Sequence, residues 1–197
     1  MDVETDEFGL FLDAIASRRV APAGGSAAAF AGGLGAALAE MAVIHTRDKQ
    51  GDSAEEELVH AQERLAHQRD ALVTLADEDA RAIDALFGKS TLENEQAALS
   101  RATGVPLSIA EACVTVLEIS LDVSEHLAAS VRQDFQTGLY LTFAAFEAAI
   151  RTADGNLDLL DDAAIQADMA DRLSTARQTG TTAMDRLSEE TGLARFF

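Results

Sequence analysis

From Ser26 to Ile44 the chain runs 19 residues with a single charge, Glu40, and is built largely from alanine and glycine. Few structures suit such a stretch. Alanine favours helix, and a helix surfaced with small residues lets another backbone approach closely. The run nears membrane-span length, but alanine and glycine are only weakly hydrophobic. We read it as a tightly packed buried helix rather than a membrane span, lying at the centre of a bundle or at a dimer seam.

The rest of the chain agrees with a helical bundle. Only two prolines, Pro22 and Pro106, interrupt 197 residues, of which 48% are apolar. That length suffices for one domain with a real core, and residues 1–197 read as a single domain without repeat or linker. The expected architecture is all-α: a single-domain antiparallel helical bundle of about six long helices.

Helical spacing of Phe8, Phe11, Leu12 and Ile15 places a first helix over about Thr5–Ser17, with Thr5 as its cap. Arg18–Gly25 is a loop. A second helix starts at Ser26 and runs to about Thr46, and Asp48–Ser53 is a turn. A third covers about Ser53–Phe87 and stops at Gly88. A fourth, about Ser90–Leu127, is expected to kink or break at Pro106. A fifth spans about Ala128–Thr152, closed by Asp154-Gly155-Asn156. The last runs from about Leu159 to Glu190 and ends near Gly192.

Charge excludes one class of partner. The formal net charge is −19, with 34 acids against 15 bases. The acids are dispersed, and no basic patch exists to meet nucleic acid. Only Lys49 and Lys89 are lysines. Dispersed acid with scarce lysine resembles proteins from cytoplasm holding molar salt, where a Debye length of about 3 Å screens self-repulsion. The acidic N-terminus carries no signal peptide, so a cytoplasmic location is expected. The single Cys113 lies among apolar residues and reads as a small buried hydrophobe. His45, His60, His67 and His126 show no metal-ligand spacing, so no bound metal is expected.

Two places carry chemistry. The third helix repeats leucine every seven residues, at Leu58, Leu65, Leu72 and Leu86, and Asp79 stands at the fourth of these five equivalent positions. Its helical neighbours Leu75, Ala76, Ala82 and Ile83 are all apolar. Asp77 lies about 200° round the helix and should face water, and Glu78 also falls off the stripe. Acids are almost never fully buried unless paired or hydrogen-bonded. Desolvation would raise the Asp79 pKa and make it a usable proton donor or acceptor near neutral pH. The same residue would serve equally as a structural acid that pairs with an arginine or caps another helix.

The second place is Gly24-Gly25-Ser26 at a helix start. Free N–H groups there bind anionic or carbonyl oxygen, and glycine allows close approach. An ordinary turn with Ser26 as helix cap explains the same residues. At the other end of that helix, Lys49 suits the helix dipole and could also receive an anionic ligand tail. Asp134 is either a first-turn acid or a polar ligand contact.

Taken in order, these motifs resemble one known family. Phe11-Leu12-x-x-Ile15-Ala16-Ser17, Pro22-Ala23-Gly24-Gly25-Ser26-Ala27-Ala28-Ala29, Gly35-Ala36-Ala37-Leu38-x-x-Met41 and Thr46-x-x-Lys49 are similar to the cyclodeaminase/cyclohydrolase domain of formiminotransferase-cyclodeaminase. Stand-alone methenyltetrahydrofolate cyclohydrolases share that domain. Leu75-x-Asp77-x-Asp79-Ala80-x-Ala82, Val105-Pro106-Leu107, Ala110-Glu111 and Asp134 continue the resemblance across the chain.

The resemblance implies an all-helical homodimer acting on a tetrahydrofolate derivative, with no permanently bound cofactor. Asp79 would be catalytic. Gly24, Gly25, Ser26, Thr46 and Lys49 would hold substrate, and Asp134 would contact or support the site. The implied reaction is hydrolysis of 5,10-methenyltetrahydrofolate to 10-formyltetrahydrofolate. Cyclodeamination of 5-formiminotetrahydrofolate is the close alternative, and the absence of a fused transferase segment favours the hydrolase. A non-enzymatic helical scaffold dimer is the competing class. Three departures stand out: Ala23 replaces a family glycine, Ala129-Ser130 replaces Gly-Asn, and Thr152 stands near a family asparagine position.

Overall fold

The computed structural model describes residues 7–50, 56–87 and 92–194. Six α-helices occupy them: α1 Glu7–Ile15, α2 Gly24–Gln50, α3 Glu56–Phe87, α4 Leu92–Val123, α5 Arg132–Leu157 and α6 Ala163–Thr191. No strand occurs among the described residues. The all-α expectation holds.

Side-chain bonds between helices fix their directions. Ser26 meets Asp79 at one end of the α2–α3 pair, and Arg47 meets Gln62 at the other. Arg64 pairs with Asp122 across α3 and α4 at 3.6 Å. Lys49 donates to Ser130 just before α5. These contacts make α2 to α5 run alternately up and down. Helix α6 returns parallel to α4, joined by Arg172–Glu111 at 2.8 Å and by Ser124–Glu190 at 2.7 Å.

The small residues of α2 have the use foreseen for them. Gly35 crosses Gly138 of α5 so closely that a Cβ on Gly138 would stand 2.9 Å from the Gly35 carbonyl oxygen. Ala29, Ala36, Ala39 and Ala42 are buried inside the same chain. Helix α2 is long and apolar enough to cross a membrane, yet 56% of its most apolar window is buried within the fold. Cys113 is fully buried beside Gly32, and burial pushes its thiol up to about 12, leaving it chemically quiet.

Several boundaries differ from expectation, each for a local reason. Helix α2 carries through Asp48 and Lys49 to Gln50 instead of turning at Asp48. Before α5, Ala129–Val131 forms a separate 3-10 turn, so the α-helix starts at Arg132. Helix α5 does not stop at Thr152 but continues through Asp154-Gly155-Asn156. Helix α6 starts after Asp162, whose carboxylate accepts the N–H groups of Ala164 and Ile165. It ends at Gly192, in the left-handed conformation with φ 69°, as its sequence suggested. The foreseen signals at Thr5, Ser53, Gly88 and Ser90 lie outside the described residues.

Pro106 does not divide α4, which is a single helix from Leu92 to Val123. Proline has no N–H, so the carbonyl four residues earlier, that of Ala102, lacks its helical donor. Asn156 supplies the missing bond, its Nδ2 donating to the Ala102 carbonyl at 2.9 Å. This contact also accounts for the extra turn of α5, since it holds the segment that was read as a closing loop.

Asn156→Ala should therefore cost about 1–2 kcal/mol in urea unfolding, by leaving a partly buried carbonyl unpaired. In a Pro106→Ala background, where residue 106 regains its N–H, the same substitution should cost about half as much. Equal costs in both backgrounds would contradict the repair.

Candidate active site

The heptad stripe of α3 buries as its spacing required. Leu58, Leu65 and Leu72 are fully buried, Leu86 is half-buried, and Asp79 is only 1% exposed. Asp77 and Glu78 face solvent. The acid on the stripe is thus inside the protein, and its two acidic neighbours are outside.

Asp79 lies against the start of α2. The first backbone bond of that helix runs from the Ala27 N–H to the Ala23 carbonyl at 3.0 Å. Ala23 is then the capping position, Gly24 and Gly25 open the first turn, and Ser26 is third. Alanine has no side-chain acceptor to offer the free N–H groups there. The acceptor comes from α3 instead. The Ser26 hydroxyl donates to Asp79 Oδ2 at 2.8 Å, and the Ser26 backbone N–H favours the charged form of the carboxylate. Ser26 is therefore not the cap of its own helix; Asp79 is.

Gly25 makes the approach possible. A Cβ on Gly25 would overlap the Asp79 carboxyl, with Cγ and Oδ2 at 2.5 and 2.8 Å. Gly24 is exposed, with open space where its Cβ would stand. Backbone at Ala23 has no positive φ, so alanine in place of the family glycine brings no strain.

Opposed effects set the acidity of Asp79. Burial raises its pKa above the usual carboxylate range, and the Ser26 hydroxyl and N–H partly pull it back. The folded acid therefore keeps its proton to a higher pH than the unfolded one. Its contribution to stability falls as pH rises from the ordinary carboxylate range through the raised value.

The other foreseen site residues lie elsewhere. Thr46 and Lys49 stand 20 and 23 residues beyond Ser26 on one helix, or about 30 and 35 Å along its axis. Thr46 is buried, donating to the Ala42 carbonyl at 2.8 Å and accepting the Ala128 N–H at 3.0 Å. Lys49 is exposed and donates to Ser130. Asp134 is exposed in the first turn of α5, where a negative charge suits the helix dipole. One chain thus brings Gly24, Gly25, Ser26 and Asp79 together and holds Thr46, Lys49 and Asp134 towards the opposite end of α2. Glu40, the lone charge of the apolar run, is neutralised by Arg69 at 2.6 Å. Among the described residues, no group of three or more His, Cys, Asp or Glu is disposed to hold a metal ion.

A five-helix core with a flanking N-terminal helix and a buried carboxylate at a glycine-rich helix start is a recognisable class. The sequence pattern described as formiminotransferase-cyclodeaminase matches residues 7–175, and the chain belongs to that family. It is 32% identical over 167 residues to a methenyltetrahydrofolate cyclohydrolase from Methylorubrum extorquens, covering 78% of this chain and 80% of that protein. Its fold resembles that of the formiminotetrahydrofolate cyclodeaminase from Thermotoga maritima, with a TM-score of 0.89 and 24% identity over 97% of this chain and 98% of that one.

The two glycines should respond differently to a methyl group. Gly25→Ala pushes a Cβ into Asp79 and should cost about 1–3 kcal/mol. Gly24→Ala meets open space and should change stability by less than about 0.5 kcal/mol. Thermal melting of the two variants checks this, and a similar response from both would contradict the geometry.

Proposed function

We propose that the protein is a folate enzyme that hydrolyses 5,10-methenyltetrahydrofolate to 10-formyltetrahydrofolate, with Asp79 as general acid and base. The carrying observation is the buried Asp79 carboxylate at the glycine-rich start of α2, in a chain of this family. The cyclohydrolase relative, similar over most of both chains, supports the choice of substrate.

The substrate carries an amidinium cation with an electrophilic methenyl carbon. Ionised Asp79 accepts a proton from water as its oxygen attacks that carbon. The negative charge also stabilises the cationic centre. The protonated acid then returns the proton to the ring nitrogen as its bond to the former methenyl carbon breaks. The new hydroxyl loses its proton to solvent, leaving the formyl group. An acid of raised pKa suits both steps, because a better base also remains a competent donor near neutral pH. Gly24 and Gly25, with little bulk between solvent and the acid, form the approach for the ring system.

Asp79 and Lys49 on one chain are too far apart to share a folate, and a homodimer removes that obstacle. Phe30, Leu34, Leu38, Met41 and Ile44 form a half-exposed apolar stripe along α2, with Leu34 50% exposed. Helix α1, whose Phe11 lies 4.2 Å from the Phe30 ring, adds exposed Phe8, Leu10 and Leu12 beside it. A two-fold axis crossing α2 between Leu34 and Leu38 pairs this stripe with itself, antiparallel. Lys49 and Asp134 of the partner subunit then lie near Gly24 and Ser26. Lys49 would meet the glutamate carboxylate of the folate, and Asp134 a polar edge. Thr46 would support that end by holding the Ala128 backbone. A net charge of −19 on each subunit opposes both dimer and anionic substrate, so concentrated salt should favour activity.

Loss of the near-ultraviolet absorbance of 5,10-methenyltetrahydrofolate in concentrated KCl should exceed the unaided rate. Because ionised Asp79 is the working base and burial raises its pKa, kcat should fall towards low pH with a limb above the usual carboxylate range. No acceleration, together with ammonia release from 5-formiminotetrahydrofolate, would transfer the assignment to the cyclodeaminase. Inactivity on both would favour a non-enzymatic dimer.

Leu34→Glu should convert the protein from dimer to monomer in light scattering and abolish turnover while α-helical content stays unchanged. A wild-type monomer with full activity would contradict the shared site.

A further inference from the structure

The sequence suggested that Ser26 holds substrate, but its polar groups are turned inward. Ser26 is fully buried, and its hydroxyl donates to Asp79 Oδ2 at 2.8 Å. Asp79 Oδ1 lies against the Gly25 face, where only a glycine leaves room. The Ser26 hydroxyl thus holds Oδ2, and Oδ1 lies over the Gly25 backbone, next to the exposed Gly24.

We propose that Ser26 is a positioning residue for Asp79, fixing Oδ2 with its hydroxyl so that the proton is exchanged at Oδ1, over Gly25. This rests on the reading of Asp79 as the general acid and base. A carboxylate free to rotate about its terminal torsion would present either oxygen at either angle. A bond to one oxygen selects one orientation and keeps the other oxygen for chemistry. The same bond favours the charged form, which is the form that must accept the proton from water.

Few other charges compete for control of this acid. On α3, Asp77, Glu78, Arg81 and Asp84 are exposed. On α2 the first ionisable residue after Ser26 is Glu40, about 21 Å along the axis and paired with Arg69. On α4, Arg101 is exposed, Glu111 is bound bidentately by Arg172 at 2.8 and 2.9 Å, and Cys113 is buried with its thiol pushed up to about 12. In the preceding loop, Arg18 and Arg19 are exposed. Burial opposed by the Ser26 donors remains the main control on Asp79.

The test is a titration of the Asp79 carboxyl carbon by NMR, with the pH profile of kcat on the methenyl substrate, in wild type, Ser26→Ala and Ser26→Thr. Ser26→Ala removes one donor to the charged form. The Asp79 pKa should rise by about one unit. The acid limb of kcat should move with it, and kcat on its plateau should fall about tenfold with little change in KM. Ser26→Thr keeps the hydroxyl and should stay within about half a unit of wild type. An Asp79 pKa unmoved in Ser26→Ala would overturn the clamp and leave the assignment of Asp79 standing. A pKa that moves without the kinetic limb would overturn the catalytic role of Asp79, and the positioning role with it. A threonine variant displaced as far as the alanine variant would assign the shift to packing and overturn the role of the hydroxyl.

Discussion

The organisation of the molecule turns on a carboxylate placed where a helix begins. Asp79 of α3 takes the capping position that Ala23 cannot fill, with Ser26 donating to it and Gly25 making room. A helix start carries partial positive charge and free N–H groups. Meeting that charge with a buried acid makes Asp79 tolerable inside an apolar stripe. It does not make it free of cost, because burial still raises its pKa. The acid remains caught between desolvation, which favours the proton, and the Ser26 donors, which favour the charge. That balance would suit the acid and base role proposed for Asp79.

The remaining helices keep this contact in register. Helices α2 and α3 run antiparallel for their full length, tied at the far end by Arg47 and Gln62 and near the middle by Glu40 and Arg69. The glycine crossing between α2 and α5 sets α2 close to the centre of the bundle. Asn156 spans from α5 to the carbonyl that Pro106 leaves unpaired, so α4 stays continuous beside the same core. One face of α2 is consumed by this packing. The other keeps an apolar stripe along which a second subunit is proposed to lie.

Much of this is legible in the sequence because it is periodic. Seven-residue spacing in α3 singles out Asp79 without any partner in view, and the small residues of α2 announce a buried helix. Contacts between distant residues are not periodic and cannot be read this way. Ser26 and Asp79 are 53 positions apart, so a serine beside two glycines reads as a cap or a ligand contact and not as the partner of a buried acid. Asn156 follows Gly155 and reads as a turn. Only the orphaned Ala102 carbonyl, 54 positions away, explains why helix continues through it. The family resemblance groups Thr46 and Lys49 with the glycine motif, yet a straight helix of known rise separates them from it by about 30 Å or more.

A buried carboxylate at a helix start can serve catalysis or merely cap, and the charge of Asp79 separates the two. Asp79→Asn keeps the shape and retains a hydrogen-bonding partner for Ser26 while removing the charge. The direct measurement is the rate of 5,10-methenyltetrahydrofolate hydrolysis by this variant in concentrated KCl, with its melting temperature at the same pH. A rate at least about a hundredfold lower, with a melting temperature equal to or above that of wild type at neutral pH, is the predicted result. Undiminished hydrolysis would contradict the account, as would a loss of rate accompanied by a collapse in stability that marks Asp79 as a structural charge.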